Sequence, residues 1–297
     1  MNDITGLAAR FEEHRPHLRS VAYRMLGSLS EADDALQETW LRLSRTDISD
    51  VENLGGWLTT VAGRICLNML RSRTHRSEEP LDSLAADSAT VRDEGRDPEQ
   101  EALMADSVGQ ALLVVLDTLA PAERLAFVLH DTFAVPFDEI APMIERTPAA
   151  TRQLASRARR RVKGGTPAPD ADLSRRRVVV EAFLAATRGG DFEALVTLLH
   201  PGVVLHADAS VIPTPEPVVV RGDQVVAQGA MAAMGRARST GIALVDGTVG
   251  LVMAPLGRLR VALRFTFAGD TITEVDVIAD RARLDGLDIG VLDGAAA

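Results

Sequence analysis

Between Gly164 and Asp172 the sequence reads GGTPAPDAD, and on its two sides the apolar residues keep different periods. N-terminal to it they recur about every 3.6 residues, the spacing of an amphipathic helix. C-terminal to it, after two helical stretches, they alternate with a period of two, as in strands with one buried face. A switch of period across a Gly/Pro-rich segment excludes a single bundle and a single sheet, so the chain divides there. With 297 residues it has the length for two or three domains.

The first block, residues 1–76, reads as helical. Leu7, Phe11, Leu18, Val21, Met25 and Leu26 fall on one stripe, and Gly27 ends that helix. Ser30 is the expected cap of the next helix, with Glu31, Asp33 and Asp34 in its first turn. In WLTTVAGRICLNMLRSRTHR, Trp57, Leu58, Val61, Ile65 and Leu67 can face a core. Arg64, Asn68 and Arg71, at i, i+4 and i+7, share another face. Residues 77–101 carry nine acids, two bases and two prolines with little periodicity, the composition of a linker.

Helix returns over 102–164. Pro121 suits a first helical turn. The spacing then predicts a short helix from Phe137 to Ile144, a turn over Glu145–Thr147, and a second helix from Pro148 to Val162 with Thr147 as its cap. Thr151, Ala155, Ala158 and Val162 form its inward stripe, while Arg152, Gln153, Ser156, Arg157 and Arg160 point outward together. That is a helix-turn-helix pattern. The stretch from Arg146 to Lys163 holds seven basic residues and no acid, in a chain of net charge −10. Such a patch can still bind phosphate, because acids beyond a Debye length of about 8 Å are screened.

A hinge is expected over 165–172 and a further domain over 173–297. Two helices broken at Gly189-Gly190 lead into a strand at PGVVLHAD, a helix at RGDQVVAQGAMAAMGRA, and alternating strands with turns at Asp246-Gly247 and Gly269-Asp270. Helices followed by hairpins predict an α+β layer with one curved sheet. The single cysteine, Cys66, forms no internal disulfide, and no metal or cofactor is expected. The N-terminus lacks a signal-peptide apolar region and no long apolar run predicts a membrane span, so a cytoplasmic location is expected.

SEADDALQETWLRL followed by GGWLTTVAGRICLNMLRSR resembles region two of the extracytoplasmic-function sigma factors, and LDTLAPAERLAFVLHDTFAVPFDEIAPMIERTPAATRQLASRARRRV resembles region four. VEAFLAATRGGDFEALVTLLHPGVVLHAD resembles the SnoaL-like branch of the NTF2-like fold. The whole is similar to sigma factors with a fused SnoaL-like extension: two all-α sigma domains followed by an α+β cone. Some of that group carry WLPEP in the linker and DGGGK in the extension. Neither stands here, where the extension reads HADASVIPTPEPVVV.

The resemblance implies that the chain binds core RNA polymerase and promoter DNA. It implies that Arg152, Gln153, Ser156 and Arg157 read the upstream promoter element and that Arg159, Arg160, Arg161 and Lys163 meet phosphates. Arg64, Asn68 and Arg71 are implied to meet the downstream element. Asp33, Asp34, Gln37 and Glu38 are implied to face the polymerase, although helix-dipole matching explains Asp33 and Asp34 as well. Trp57 is expected in the core rather than as a stacking platform. In the extension, His206, Asp208 and Asp276 are candidates for a pocket holding a small-molecule ligand, and His200 for a helix end. Regulation is expected there rather than catalysis. The alternatives are a helix-turn-helix regulator with a ligand-sensing NTF2-like domain, and a SnoaL-like enzyme with a DNA-binding appendage.

Overall fold

The computed structural model describes residues 4–49, 51–78, 109–164, 170–211, 216–237 and 240–292. Most of the acidic linker lies outside them. The chain forms two compact units, residues 1–101 with 119–159, and residues 102–118 with 160–297.

The first unit is helical. Helices α1 (Ile4–Leu26), α2 (Leu29–Leu43) and α3 (Leu54–Glu78) pack on one another. Leu18, Met25, Leu36, Leu58 and Leu67 are fully buried among them. Gly27 ends α1 at φ 77°, its N–H donating to the Tyr23 carbonyl at 2.8 Å. The residue at the N-cap of α2 is Ser28 and not Ser30, and it makes no side-chain capping bond. Its hydroxyl meets that of Ser30 instead, at 2.9 Å. Trp57 is half-buried, short of the core position expected of it.

In the same unit, α5 (Pro121–Phe127) runs into a π-helical turn, Val128–Thr132. It precedes α6 (Phe137–Ile140), which tightens into a 3-10 turn at Ala141–Met143. The tightened turn accommodates Pro142, whose ring would obstruct a longer α-helix. Glu145 takes φ 55°, a left-handed conformation better suited to glycine, and so supplies the sharp turn. Helix α7 follows, Pro148–Lys163. The Thr147 hydroxyl accepts from the Ala150 N–H at 3.2 Å, the cap read from the sequence. Thr151, Ala155 and Ala158 are buried as the stripe requires.

The second unit is α+β. A seven-stranded sheet has the order β2-β1-β6-β5-β4-β3-β7, with β1 (Leu199–Ala207), β2 (Val218–Arg221), β3 (Thr240–Val245), β4 (Thr248–Met253), β5 (Val261–Ala268), β6 (Thr271–Ile278) and β7 (Ile289–Gly290). All neighbours are antiparallel except β1 and β6. Asp246 at φ 51° and Gly247 at φ 75° close the β3–β4 hairpin in two residues, the backbone that an Asp-Gly turn favours. Helices α8 (Asp170–Gly189) and α9 (Phe192–Leu198) are broken at Gly190, φ 71°, and Asp191 caps α9. Helices α10 (Asp223–Ala232) and α11 (Met234–Ala237) precede β3, and α12 (Arg281–Asp285) follows β6. His200 stands inside β1 rather than at a helix end, its Nδ1 accepting from the Gly202 N–H. The expected hinge is shorter on its C-terminal side, because α8 already begins at Asp170.

Helix α4 (Gln110–Thr118) also belongs to the second unit. Its Ala111, Val114 and Val115 share a core with Ala243, Val245, Val252, Ala262 and Ile289. The last turn of α7 meets the same sheet. The Val291 N–H donates to the Val162 carbonyl at 2.9 Å, and a Cβ on Gly290 would stand 2.8 Å from the Gly164 Cα.

Candidate functional site

Helix α7 presents Arg152, Gln153, Ser156, Arg157 and Arg160 on its exposed side. Two of these arginines are oriented by neighbours remote in sequence. The Arg157 Nε donates to Glu123 at 3.0 Å, and that carboxylate is largely buried on α5. The Arg152 guanidinium lies over the Phe137 ring at 5.6 Å, and the other partner of that ring is His130, stacked at 3.7 Å. An arginine held on one edge keeps its remaining N–H groups for an outside acceptor, with less side-chain entropy to lose on binding. Arg159, assigned a phosphate on resemblance, pairs with Asp131 at 2.5 Å.

On α3, Arg64, Asn68 and Arg71 are exposed on one face, as their spacing requires. The Arg64 Nη2 reaches the Pro142 carbonyl, at 3.4 Å. Asn68 shares a groove with Glu31, Glu38 and Arg42. On α2, Asp34, Gln37 and Glu38 are exposed, and Glu38 pairs with Arg42 at 3.1 Å. Asp33 is half-buried and takes a two-pronged contact from Arg19, both bonds at 3.0 Å. That carboxylate fixes α1 to α2 as well as facing outward.

Residues 10–76 match Sigma-70 region 2, and residues 109–162 match Sigma-70, region 4. The chain is 36% identical over 209 residues to a probable ECF RNA polymerase sigma factor SigI of Mycobacterium tuberculosis, spanning 70% of this chain and 72% of that protein. It is 39% identical over 225 residues to the ECF RNA polymerase sigma factor SigJ of Mycobacterium tuberculosis, spanning 73% of this chain and 70% of the relative. The chain belongs to the ECF RNA polymerase sigma factors. A crystal structure of the Mycobacterium tuberculosis sigma factor SigJ aligns with 94% of this chain and 98% of its own at 30% identity, with a TM-score of 0.43. Sigma factors bind core RNA polymerase and promoter DNA and direct where transcription starts, and this chain has both regions that serve that purpose.

This sigma factor carries a cavity of about 180 Å³ in its second unit. It lies between one face of the sheet and helices α8, α10 and α11, with Leu205, Ala207, Leu251, Leu263, Val275 and Val277 on its sheet wall. The pocket candidates named from the sequence do not line it, and the pleat gives the reason. Leu205 and Ala207 of β1 point into the cavity, so His206 and Asp208 fall on the other face. Asp276 is excluded in the same way by Val275 and Val277.

On that outer face the candidates meet polar partners. His206 stands 3.4 Å from Glu274. Asp276 accepts from Arg264 at 2.9 Å and from Arg283 at 2.8 Å. Asp208 accepts from the backbone N–H groups of Ala279 and Asp280, at 2.9 and 3.0 Å, and from Arg283. Burial opposes ionisation of Asp208, but the N–H groups of Asp280 and Ala279 together with Arg283 outweigh it and hold its carboxyl below the usual carboxylate value. This carboxylate ties the end of β1 to α12. Burial pushes the Cys66 thiol up to about 12, so it is a packing residue. No group of three or more metal-ligating side chains occurs among the described residues, and no helix among them is long and apolar enough to cross a membrane.

Sequence reasoning missed Glu123, Asp131 and Phe137 as the groups that orient the α7 arginines. They meet α7 only through the tertiary fold, and no spacing along the chain signals that. It missed Arg236 at the cavity for the same reason.

Proposed function

We propose that this sigma factor reads its upstream promoter element with Arg152, Gln153, Ser156 and Arg157, with Arg160 on the adjoining backbone. Exposure of all five on one side of α7 carries this reading. Arg and Gln are the side chains that match purine edges bidentately in the major groove. Arg64, Asn68 and Arg71 are assigned to the downstream element, and Asp34, Gln37 and Glu38, with Asp33 behind them, to core polymerase. It works where the polymerase works, in the cytoplasm. A helix-turn-helix regulator with a sensor domain leaves the region 2 match unexplained.

The C-terminal unit modulates this activity rather than catalysing a reaction. Helix α4 and the end of α7 both fall within the region 4 match, and both are packed on the sheet. A change in the sheet therefore has two routes into region four. A small-molecule ligand in the cavity is the natural source of such a change.

The test is run-off transcription with purified core polymerase on genomic promoter fragments. Arg152→Ala and Arg157→Ala should each weaken promoter binding by ~1–3 kcal/mol and relax preference at one or two upstream base pairs. Glu123→Gln should give a smaller loss in the same direction, because it frees Arg157 without removing it. Unchanged promoter choice in both arginine variants overturns the assignment.

A further inference from the structure

The cavity has a lining that restricts what it can hold. Phe183, Leu251, Leu263 and Val275 are typical of its walls, and its polar members are few. The Thr187 hydroxyl donates to the Phe183 carbonyl at 2.8 Å, and the Thr240 hydroxyl to the Arg236 carbonyl at 3.1 Å. Both donors are therefore engaged inside the protein, and a sugar or nucleoside would lose its hydration without replacement bonds. The charged member of the lining is Arg236, which is exposed. Its Nη1 donates to the Val211 carbonyl at 3.1 Å. A guanidinium carries five N–H donors, so an edge remains for an acceptor on a ligand.

Volume sets the size. An apolar cavity of about 150 Å³ stays dry and takes up benzene. At about 180 Å³ this one has room for a somewhat larger skeleton, roughly ten carbons by that scale. From the apolar walls, the engaged hydroxyls and the single arginine, we infer that the cavity binds a small amphipathic monocarboxylate. Its hydrocarbon body lies against the sheet and its carboxylate pairs with Arg236. The regulatory consequence rests on the reading that the C-terminal unit modulates initiation, whereas the binding site does not depend on it.

The same strands connect this site to region four. On β4, Leu251 and Met253 face the cavity, while Val252 between them packs in the core that holds α4. One strand thickness separates a ligand from Val114 and Val115.

Binding is tested by isothermal titration of the full-length protein with 2-naphthoate, octanoate and the neutral 2-naphthalenemethanol. One saturable site is expected for at least one carboxylate, and which of the two binds tighter identifies a ring or an acyl skeleton. Arg236→Gln should weaken the carboxylate at least tenfold and change the alcohol less than twofold. Ala230→Phe, which fills the cavity from α10, should abolish binding while circular dichroism stays native. Absence of saturable binding by both carboxylates to the folded protein overturns the inference. So does carboxylate binding that survives Arg236→Gln, or an alcohol that binds as tightly as the acid. Binding that leaves run-off transcription unchanged overturns the regulatory reading and leaves the site standing.

Discussion

The two faces of the C-terminal sheet are built from the same strands and have different fates. Toward α8, α10 and α11 the side chains are apolar and stop short of closing the space, leaving a cavity. Toward α4 they form a buried core, and glycine stands at a close approach to that helix, where a Cβ on Gly241 would lie 2.9 Å from the Gln110 Cβ. Away from α4 that outer face carries Asp208, Asp276, Arg264 and Arg283 as an ion-pair cluster. A face filled to contact transmits displacement, because close-packed interiors deform little. A face with a void leaves room for a ligand. The period-two pleat puts both kinds of face on one strand.

The largest effect should come from a charge placed under α4. Val114→Asp buries a carboxylate among Val245, Val252 and Ala262, and should cost about 3 kcal/mol or more, seen as a lower midpoint in urea unfolding. A loss under about 1 kcal/mol would mean that α4 is not held there. A pair of glycine substitutions comes next, and the two should differ in sign. Gly241→Val drives a side chain into Gln110 and should cost about 1–3 kcal/mol. Gly229→Ala, on α10 at the cavity, meets open space, and should add about 0.5–1 kcal/mol through helix propensity. Equal signs would erase the difference between the faces.

The smallest effect concerns acid. The Asp208 carboxyl is held below its unfolded value. Its contribution is therefore fully present above the unfolded pKa of about 3.9 and is lost as pH falls through the lower folded value. Arg283→Gln removes a partner of both Asp208 and Asp276. The stability gap between the natural protein and this variant should be constant from neutral pH down to about pH 5 and close below about pH 4. A gap that persists at pH 2.5 would assign the role of Arg283 to packing.

Much of the architecture was legible in the sequence because it follows from local rules. The break at Gly27, the cap at Thr147, the Asp246-Gly247 hairpin and the inward stripe of α7 each need only a few neighbouring residues. Trp57 and Ser30 were misplaced because burial and capping depend on which competitor is nearest, and Ser28 precedes Ser30 at the start of α2. For the pocket, the spacing correctly put His206 and Asp208 on one face of β1. It could not say which face is hollow, since buried apolar residues stand on both faces of this sheet. Helix α4 was read as part of a helical block, and the core it joins is fixed only by strands more than a hundred residues later.

Run-off transcription with Gly241→Val, at matched concentration of folded protein, decides whether the C-terminal sheet sets the output of region four through α4. Hydrogen exchange over residues 110–118 should report that α4 has loosened. Transcript yield should then change several-fold while the ranking of promoters stays that of the natural protein. Equal yield from a variant whose α4 has demonstrably loosened would contradict it.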